Sequence, residues 1–553
     1  MRSSAPKALL AAASVAVALA AADTYVVVLV LTDMMSGVGV GIDSLQKATP
    51  IISGFLLGYV AVLPLIGRIS DLVSRQRVLV GCLAIFVLGS TVTALAVELP
   101  VLVTGRVVQG VGGGGLVPAT LALVADLWPA GRRGTPLGVV GAVQELGSVL
   151  GPVLGAAVIA VASWRAIFWL NAGFGVLAAA AVLAVGRERP PRPAPLTTAL
   201  GLAGLACLGL ALWAPPALAQ SVSLGAPFVP FGASTSRVLT PVGVTGLTLA
   251  VVGVALALRR HWPVLRRADL PGALLLGATL ALVILTFASA DPEKEVIGPL
   301  GLALLPAAAV TALLYVWRHR RAAEPLVARG VVRGRSLVAL AVSLLAGVAL
   351  VSVIVDVPLV ARLVLSPDET VGALVLVRFL VAVPVGALAG GWLLRWLGDG
   401  LVASAGFALA ALALVVMGSW SEASLHAWTS TAALVVAGLG LGLLLAPVNN
   451  TAMAEAPEDA HGTASALVVV ARMVGMVVGL ALLTAVGLHE YFGAVARLPD
   501  QTDTQALVGA ALVQVHAVFH GAAAAALVGA VLSGGLGWRR RPVSGAARHT
   551  FGL

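Results

Sequence analysis

Charge is what this chain has least of. Only 10% of its 553 residues are Asp, Glu, Lys or Arg, against about 25% in an ordinary soluble domain, too few to clothe a globule of this size in water. A large soluble domain is excluded. Lysine is scarcer still: Lys7, Lys47 and Lys294 are the whole stock and none follows a glycine, so there is no Walker phosphate loop and the chain does not hydrolyse ATP. Two cysteines, Cys82 and Cys207, both in apolar stretches, leave no disulfide framework to build on. Aromatic residues make up 5%, which offers few stacking surfaces for flat cationic molecules and leans toward aliphatic cargo.

What is abundant is hydrocarbon: 59% of the residues are hydrophobic and the mean hydropathy is +1.04. At roughly 20 apolar residues per spanning helix, this is an all-α polytopic membrane protein. Apolar runs near residues 8–31, 49–67, 78–97, 101–126, 136–161 and 166–186 predict six spans. A basic, Pro-rich break at 187–195 follows, then runs near 198–214, 238–258, 269–290 and 296–317, a second basic break at 318–335, and six final runs near 336–358, 371–394, 401–419, 430–453, 463–487 and 508–537. The organisation expected is a first six-helix half (1–190), an inserted region of four helices (191–335) and a second six-helix half (336–553). That makes sixteen spans, or fourteen if the first two inserted runs, joined by the Pro- and Gly-containing stretch 214–237, do not cross. The Ala-rich run after Lys7 continues through Asp23 to Leu31 and is read as a first span, not as a cleaved secretory signal.

The net charge of +10 does not call for nucleic acid. The basic residues gather in alternate loops, as at Arg68, Arg75 and Arg77, at Arg132 and Arg133, at Arg259, Arg260, Arg266 and Arg267, and at Arg539 to Arg541. That is the positive-inside pattern, which places both termini in the cytoplasm and the chain in the cell membrane.

Within the spans a charge at mid-bilayer costs about 3 kcal/mol or more unless it is paired or faces water. The residues in that position are Asp23, Arg106, Glu145, Arg378 and Arg472, with Asp356 near an outer helix end. They either form static ion pairs that hold the bundle or, for Asp23 and Glu145, exchange protons in a partly desolvated cavity. Arg106 and Gln109 share a helix face at i, i+3, and the break after the second span carries Gly67, Asp71, Arg75 and Arg77. The fifth span carries Gly147, Gly151, Pro152 and Gly155, small residues at steps of four that admit close helix approach. Its counterpart in the second half carries Gly475 and Gly479, a weak internal repeat that sets Gln144 on Arg472. Duplicated halves around a central site are the layout of secondary transporters.

Other motifs carry less. Gly110 to Gly115 satisfies G-x-G-x-x-G but lies inside a span, where it reads as close helix packing, not a dinucleotide site. His516 and His520 stand at i, i+4 with no further ligand evident, so no metal and no cofactor is expected. Trp392, Trp396, Trp428 and Trp538 read as interfacial anchors. A lipid-modifying membrane enzyme would gather acids and histidines at one face, whereas His261, His319, His426, His461 and His549 are scattered. No enzymatic activity is expected, and a passive channel leaves Asp23 and the two halves without a purpose.

Gly67-x-x-x-Asp71-x-x-x-Arg75, Arg106-x-x-Gln109-Gly110, Gly151-Pro152-x-x-Gly155 and Asp23-Thr24 resemble motifs of the major facilitator superfamily, in its proton-coupled drug antiporter branch of fourteen or more spans. Leu72 and Ser74 depart from the family's usual Arg and Gly. The stretches Asp23 to Val28, Gln144 to Pro152, Val355 to Val357, Gly438 to Leu443 and His461 to Gly475 are similar to those of the mycobacterial lipid exporters, also described as multidrug efflux pumps, that work with a lipid-carrying lipoprotein. The resemblance implies export of triacylglyceride-like lipid by alternating access, with drug efflux as the alternative. It further implies Asp23 and Glu145 as proton-coupling acids, Arg106, Gln109, Arg378 and Arg472 as cavity partners, Gly67, Asp71, Arg75 and Arg77 as a cytoplasmic gate, and an outer lipoprotein as a possible partner.

Overall fold

The structure is a computed structural model that describes residues 5–40, 49–186, 194–221, 225–232, 234–288, 301–365, 369–499 and 503–538. Lys47, Lys294, the break at 187–193 and Arg539 to Arg541 lie outside the described residues. Every regular element described is helical: α1 (Ala5–Gly37), α2 (Thr49–Leu72), α3 (Arg75–Leu95), α4 (Leu99–Leu127), α5 (Gly134–Ile159), α6 (Trp164–Val185), α7 (Pro195–Trp213), the short α8 (Pro216–Ala219), α9 (Pro241–Arg267), α10 (Leu270–Ala288), α11 (Gly301–Arg321), α12 (Arg335–Val364), α13 (Glu369–Leu393), α14 (Asp399–Met417), the short α15 (Glu422–His426), α16 (Trp428–Leu443), α17 (Leu445–Glu455), α18 (His461–Val495) and α19 (Thr504–Ser533). Among the described residues, fourteen stretches are long and apolar enough to cross a membrane, α16 and α17 counting as one. The two inserted helices outside that count are α10, whose apolar stretch Leu270–Thr286 is shorter, and α11. The α7 and α9 runs are inside it, so the fourteen are not reached by dropping them.

In an apolar solvent, burying more apolar side chains brings no gain, and helices associate through close backbone approach. α4 shows how. It runs between α2 and α3, and a Cβ on Gly110 would lie 2.1 Å from the Phe55 carbonyl oxygen on one side, while one on Gly112 would lie 2.3 Å from the Phe86 nitrogen on the other. The G-x-G-x-x-G run is a packing surface.

The internal repeat is also a packing device. α5 lies on α1, with Gly147 and Gly151 facing the Ala18 and Ala22 carbonyls, and α18 lies on α12, with Gly475 facing the Leu344 carbonyl and Gly479 facing Val348. Each half thus joins its first and fifth helices through glycines four residues apart. Gln144 and Arg472, matched by the same alignment, line one small cavity between the halves together with Ser343 and Asn449.

The inserted helices form two hairpins. α7 pairs with α9, and α10 pairs with α11 while lying along α2 and touching α18. Asp269, in a left-handed conformation at φ 55, fixes the second hairpin. It accepts from Arg318 Nε at 2.7 Å and Nη2 at 2.6 Å and from the Leu326 amide at 3.1 Å. The strap after α11 then reaches both halves. Glu324 pairs with Arg267 at 3.5 Å and Arg68 at 3.9 Å, and Val327 and Val331 bury themselves with Ala456, Ala460 and Ala464.

Close approach sets a test. A Cβ on Gly475 would meet the Leu344 oxygen at 2.0 Å, whereas one on Gly173 has nothing within 4 Å. Overpacking of this kind costs about 1–3 kcal/mol, so Gly475→Val is expected to lower the melting temperature in detergent and Gly173→Val to leave it nearly unchanged.

Candidate functional site

Three polar assemblies interrupt the apolar interior. The first is enclosed within the first half. Asp23 of α1, 1% exposed, meets Arg106 of α4, also 1% exposed. Arg106 Nη1 donates to Asp23 Oδ2 at 2.6 Å and to Gln109 Oε1 at 2.6 Å. The second carboxylate oxygen accepts from Gln109 Nε2 at 3.0 Å and from Asn171 Nδ2 of α6 at 2.5 Å, and Gln109 Nε2 also donates to Ser90 Oγ of α3 at 2.9 Å. Arg106 Nε points at the Ile51 carbonyl of α2 at 3.4 Å, and its guanidinium lies 4.5 Å from the Phe55 ring centre and 5.7 Å from that of Phe168. Five helices therefore converge on one ion pair. Both carboxylate oxygens are satisfied, which is the condition for keeping a charge out of water. Arg106 and Gln109 belong to this closed cluster; the cavity between the halves is lined by Arg472 instead.

The second assembly joins the halves. Arg472 Nη1 of α18 stands 3.4 Å from Glu145 Oε1 of α5, with side-chain exposures of 9% and 12%. The cavity beside it, about 30 Å³, has room for a water molecule but not for a lipid.

The third is at the basic end of the bundle. Asp71, at the end of α2, accepts from the Gly462 amide at 2.7 Å and from the Thr463 amide and hydroxyl at 2.9 and 2.6 Å. These groups start α18, so a carboxylate of one half caps a helix of the other, where unpaired amides and the helix dipole favour negative charge. Gly67 makes room: a Cβ there would lie 2.7 Å from Ala466 Cβ. Arg75 sits beside Asp71 at 3.8 Å and pairs with Asp126 of α4 at 3.2 Å. Arg77 lines a separate apolar groove with Gln76 and His261. A second seam at the same end brings α5 and α13 together, where Gly134 faces the Gly391 carbonyl and Gly138 that of Ala387.

The remaining expected residues stand apart from these clusters. Arg378 is exposed and donates to Thr431 Oγ1 at 2.8 Å. Asp356 is 4% exposed on α12. Gly155 is buried, and Pro152 lies within α5 with its side chain outside those described. Sequence reasoning passed over Asn171, Ser90 and Asp126. Asn171 interrupts the run Ile167 to Leu177 and would have been found had neutral amides in spans been weighed with the charges.

Comparison with known proteins agrees with this architecture. The Major Facilitator Superfamily profile matches residues 13–290 and 231–480. A protein named triacylglyceride transporter in Mycobacteroides abscessus is 36% identical over 492 residues, covering 87% of this chain and 82% of its own. One of the same name in Mycobacterium tuberculosis strain H37Rv is 34% identical over 535 residues, covering 93% and 90%. Among solved structures, a proton:xylose symporter superposes with a TM-score of 0.54 at 12% identity, covering 93% of this chain and 95% of its own. The human organic anion transporter TETRAN superposes with 0.50 at 16%, covering 96% and 99%. These relatives are named as transporters, and with fourteen spanning stretches among the described residues they establish that the chain is a multi-pass membrane protein belonging to the major facilitator superfamily.

Proposed function

We propose that this protein exports triacylglyceride-like lipids or other hydrophobic compounds across the cell membrane by alternating access driven by protons, with its basic end and both termini in the cytoplasm. The lipid cargo follows from the relatives named for triacylglyceride transport and the shortage of aromatic residues. The observation that carries the proton coupling is the enclosed Asp23–Arg106 pair. A bundle needing only mechanical stability gains little from burying two ions, because apolar residues of the same volume do as well or better.

In this reading the proton reaches Asp23 and cancels its charge. Arg106 then has no counter-charge and is left with Gln109, the Ile51 carbonyl and the Phe55 ring. Two of those contacts are on α2, and the far end of α2 carries Asp71, which closes the basic end on α18. A change at Arg106 is thus passed along one rigid helix to the gate. Glu145 and Arg472 part when the halves reorient and meet again when they return. The contacts that join the halves gather toward the basic end, which fits a form shut on that side and open on the other. Each proton crossing a potential of roughly 150 mV supplies about 3.5 kcal/mol, enough to tilt a two-state equilibrium by more than a hundredfold. A lipid-carrying lipoprotein on the outer side would take up the released cargo.

Reconstitution in liposomes with an imposed pH gradient tests the reading, scoring a labelled triacylglyceride against a cationic dye. Gradient-driven movement of the lipid is expected from the wild type and none above the no-gradient level from Asp23→Asn. Lipid transport by Asp23→Asn at the wild-type rate removes Asp23 from the coupling, and movement of the dye alone makes the protein a drug antiporter. Breaking the pair also leaves Arg106 buried without a counter-charge, at a cost of about 3–5 kcal/mol. The double variant Asp23→Asn with Arg106→Gln is expected to recover thermal stability but not transport, which separates coupling from folding.

The gate has its own readout. Asp71→Ala removes three hydrogen bonds to a charged acceptor, each worth about 1.5–3 kcal/mol. A cysteine placed at Ser465, which is buried behind the gate, is expected to react faster with a polar maleimide in the Asp71→Ala background.

A further inference from the structure

α5 and α13 meet at the basic end of the bundle through Gly134, Gly138 and Gly391. Beside this seam lies a cavity of about 720 Å³ bordered by Lys7 of α1, Arg132 of the turn before α5, and Arg395 just past α13. All three cations are exposed, no ion pair is recorded for any of them, and no acid borders the cavity among the described residues. The turn is built to present them. Arg133 folds inward, donating to the Trp128 carbonyl at 3.0 Å and the Ala125 carbonyl at 2.8 Å, and its neighbour Arg132 is left facing out. Arg395 reaches across the seam, its Nη2 and Nε 3.2 and 3.3 Å from Thr135 Oγ1 of the other half. Three exposed like charges grouped without an acid are solvated by water, and their summed field favours an anion that comes to them.

The setting decides which anion. Trp128 and Trp396 also border the cavity, and Trp396 packs edge-on against the half-exposed Trp392 at 4.1 Å. Tryptophans at span ends mark headgroup depth. The rest of the wall includes Leu10 and Leu394, which suit a glycerol backbone and the start of acyl chains. We propose that this cavity binds the phosphate headgroup of an anionic phospholipid, held by Lys7 and Arg132 of one half and Arg395 of the other. A lipid so held spans the seam where Gly134 meets Gly391 and favours the form in which the basic end is shut, since it can touch all three cations only there. Occupancy of the cavity by such a lipid does not depend on what the protein transports.

The full chain in nanodiscs of phosphatidylcholine doped with phosphatidylglycerol provides the test. The readouts are phosphatidylglycerol retained through delipidation, by native mass spectrometry, and the rise in melting temperature that it gives. Wild type is expected to retain the lipid and gain stability. The triple variant Lys7→Gln, Arg132→Gln, Arg395→Gln is expected to lose about a hundred-fold in preference, at roughly five-fold for each of three basic residues near a membrane surface. The equally uncharged Arg259→Gln, Arg266→Gln, Arg320→Gln, away from the cavity, is expected to behave as wild type. Arg132→Glu alone, on an exposed turn, reads a loss in the same direction should the triple variant fold poorly. Retention by the triple variant and Arg132→Glu, or equal loss by the distant control, overturns the proposal. So does displacement of the lipid by millimolar inorganic phosphate, which would mark a site for a free anion.

Discussion

A guanidinium and a carboxylate enclosed in a bundle that itself sits in hydrocarbon have no solvent to fall back on. Their only stabilisation is each other and the dipoles fixed around them. The first half is arranged about that constraint. Asp23 takes donors from α4 and α6, Arg106 takes an acceptor and an aromatic face from α2, and Gln109 extends the network to Ser90 on α3. Removing one partner therefore disturbs the packing of five helices at once. Loss of the Asp23 charge would leave Arg106 with neutral partners alone.

The halves are joined by apolar side chains, with Ala446, Met453, Val469 and Val470 in one cluster with residues of the first half, and by backbone approach at glycines. A seam between helices in an apolar solvent draws little from the hydrophobic effect. It can depend on a few directional contacts: the Asp71 cap on α18, the Glu145–Arg472 pair, and carbonyls facing glycines at Gly134 and Gly391. Each is short in range, so it is lost over a small displacement.

The residues of the site were legible in the sequence to the extent that they break an apolar pattern. Asp23, Arg106, Glu145 and Arg472 stand out as charges in spans, and i, i+3 spacing already places Gln109 beside Arg106. Their pairing was not legible. Asp23 and Arg106 are 83 positions apart, and Glu145 and Arg472 are 327 apart, and helical periodicity carries no information over such distances. Asn171 escaped because a neutral amide perturbs hydropathy less than a charge. Helix count was clear and helix placement was not, for a related reason. A span apolar on all sides gives no amphipathic stripe to show which face meets protein, so nothing in the run 269–290 announced that α10 would lie along α2 and α18.

That placement bears on the gate. α2 receives Arg106 near its start and presents Asp71 at its end, and along the same helix it supports α10. The strap that follows α11 ties Arg68, three residues before Asp71, to Arg267 through Glu324, and then buries Val327 and Val331 against Ala456, Ala460 and Ala464 beside the start of α18. The insertion therefore holds both partners of the Asp71 cap. Any separation of α2 from the start of α18 must either stretch the strap or carry the α10–α11 hairpin with one half. Since Asp269 locks the strap to that hairpin through Arg318 and the Leu326 amide, the second course breaks fewer contacts. The hairpin would move with α2, its broadest neighbour, and the Val327 and Val331 contacts would be the ones to part.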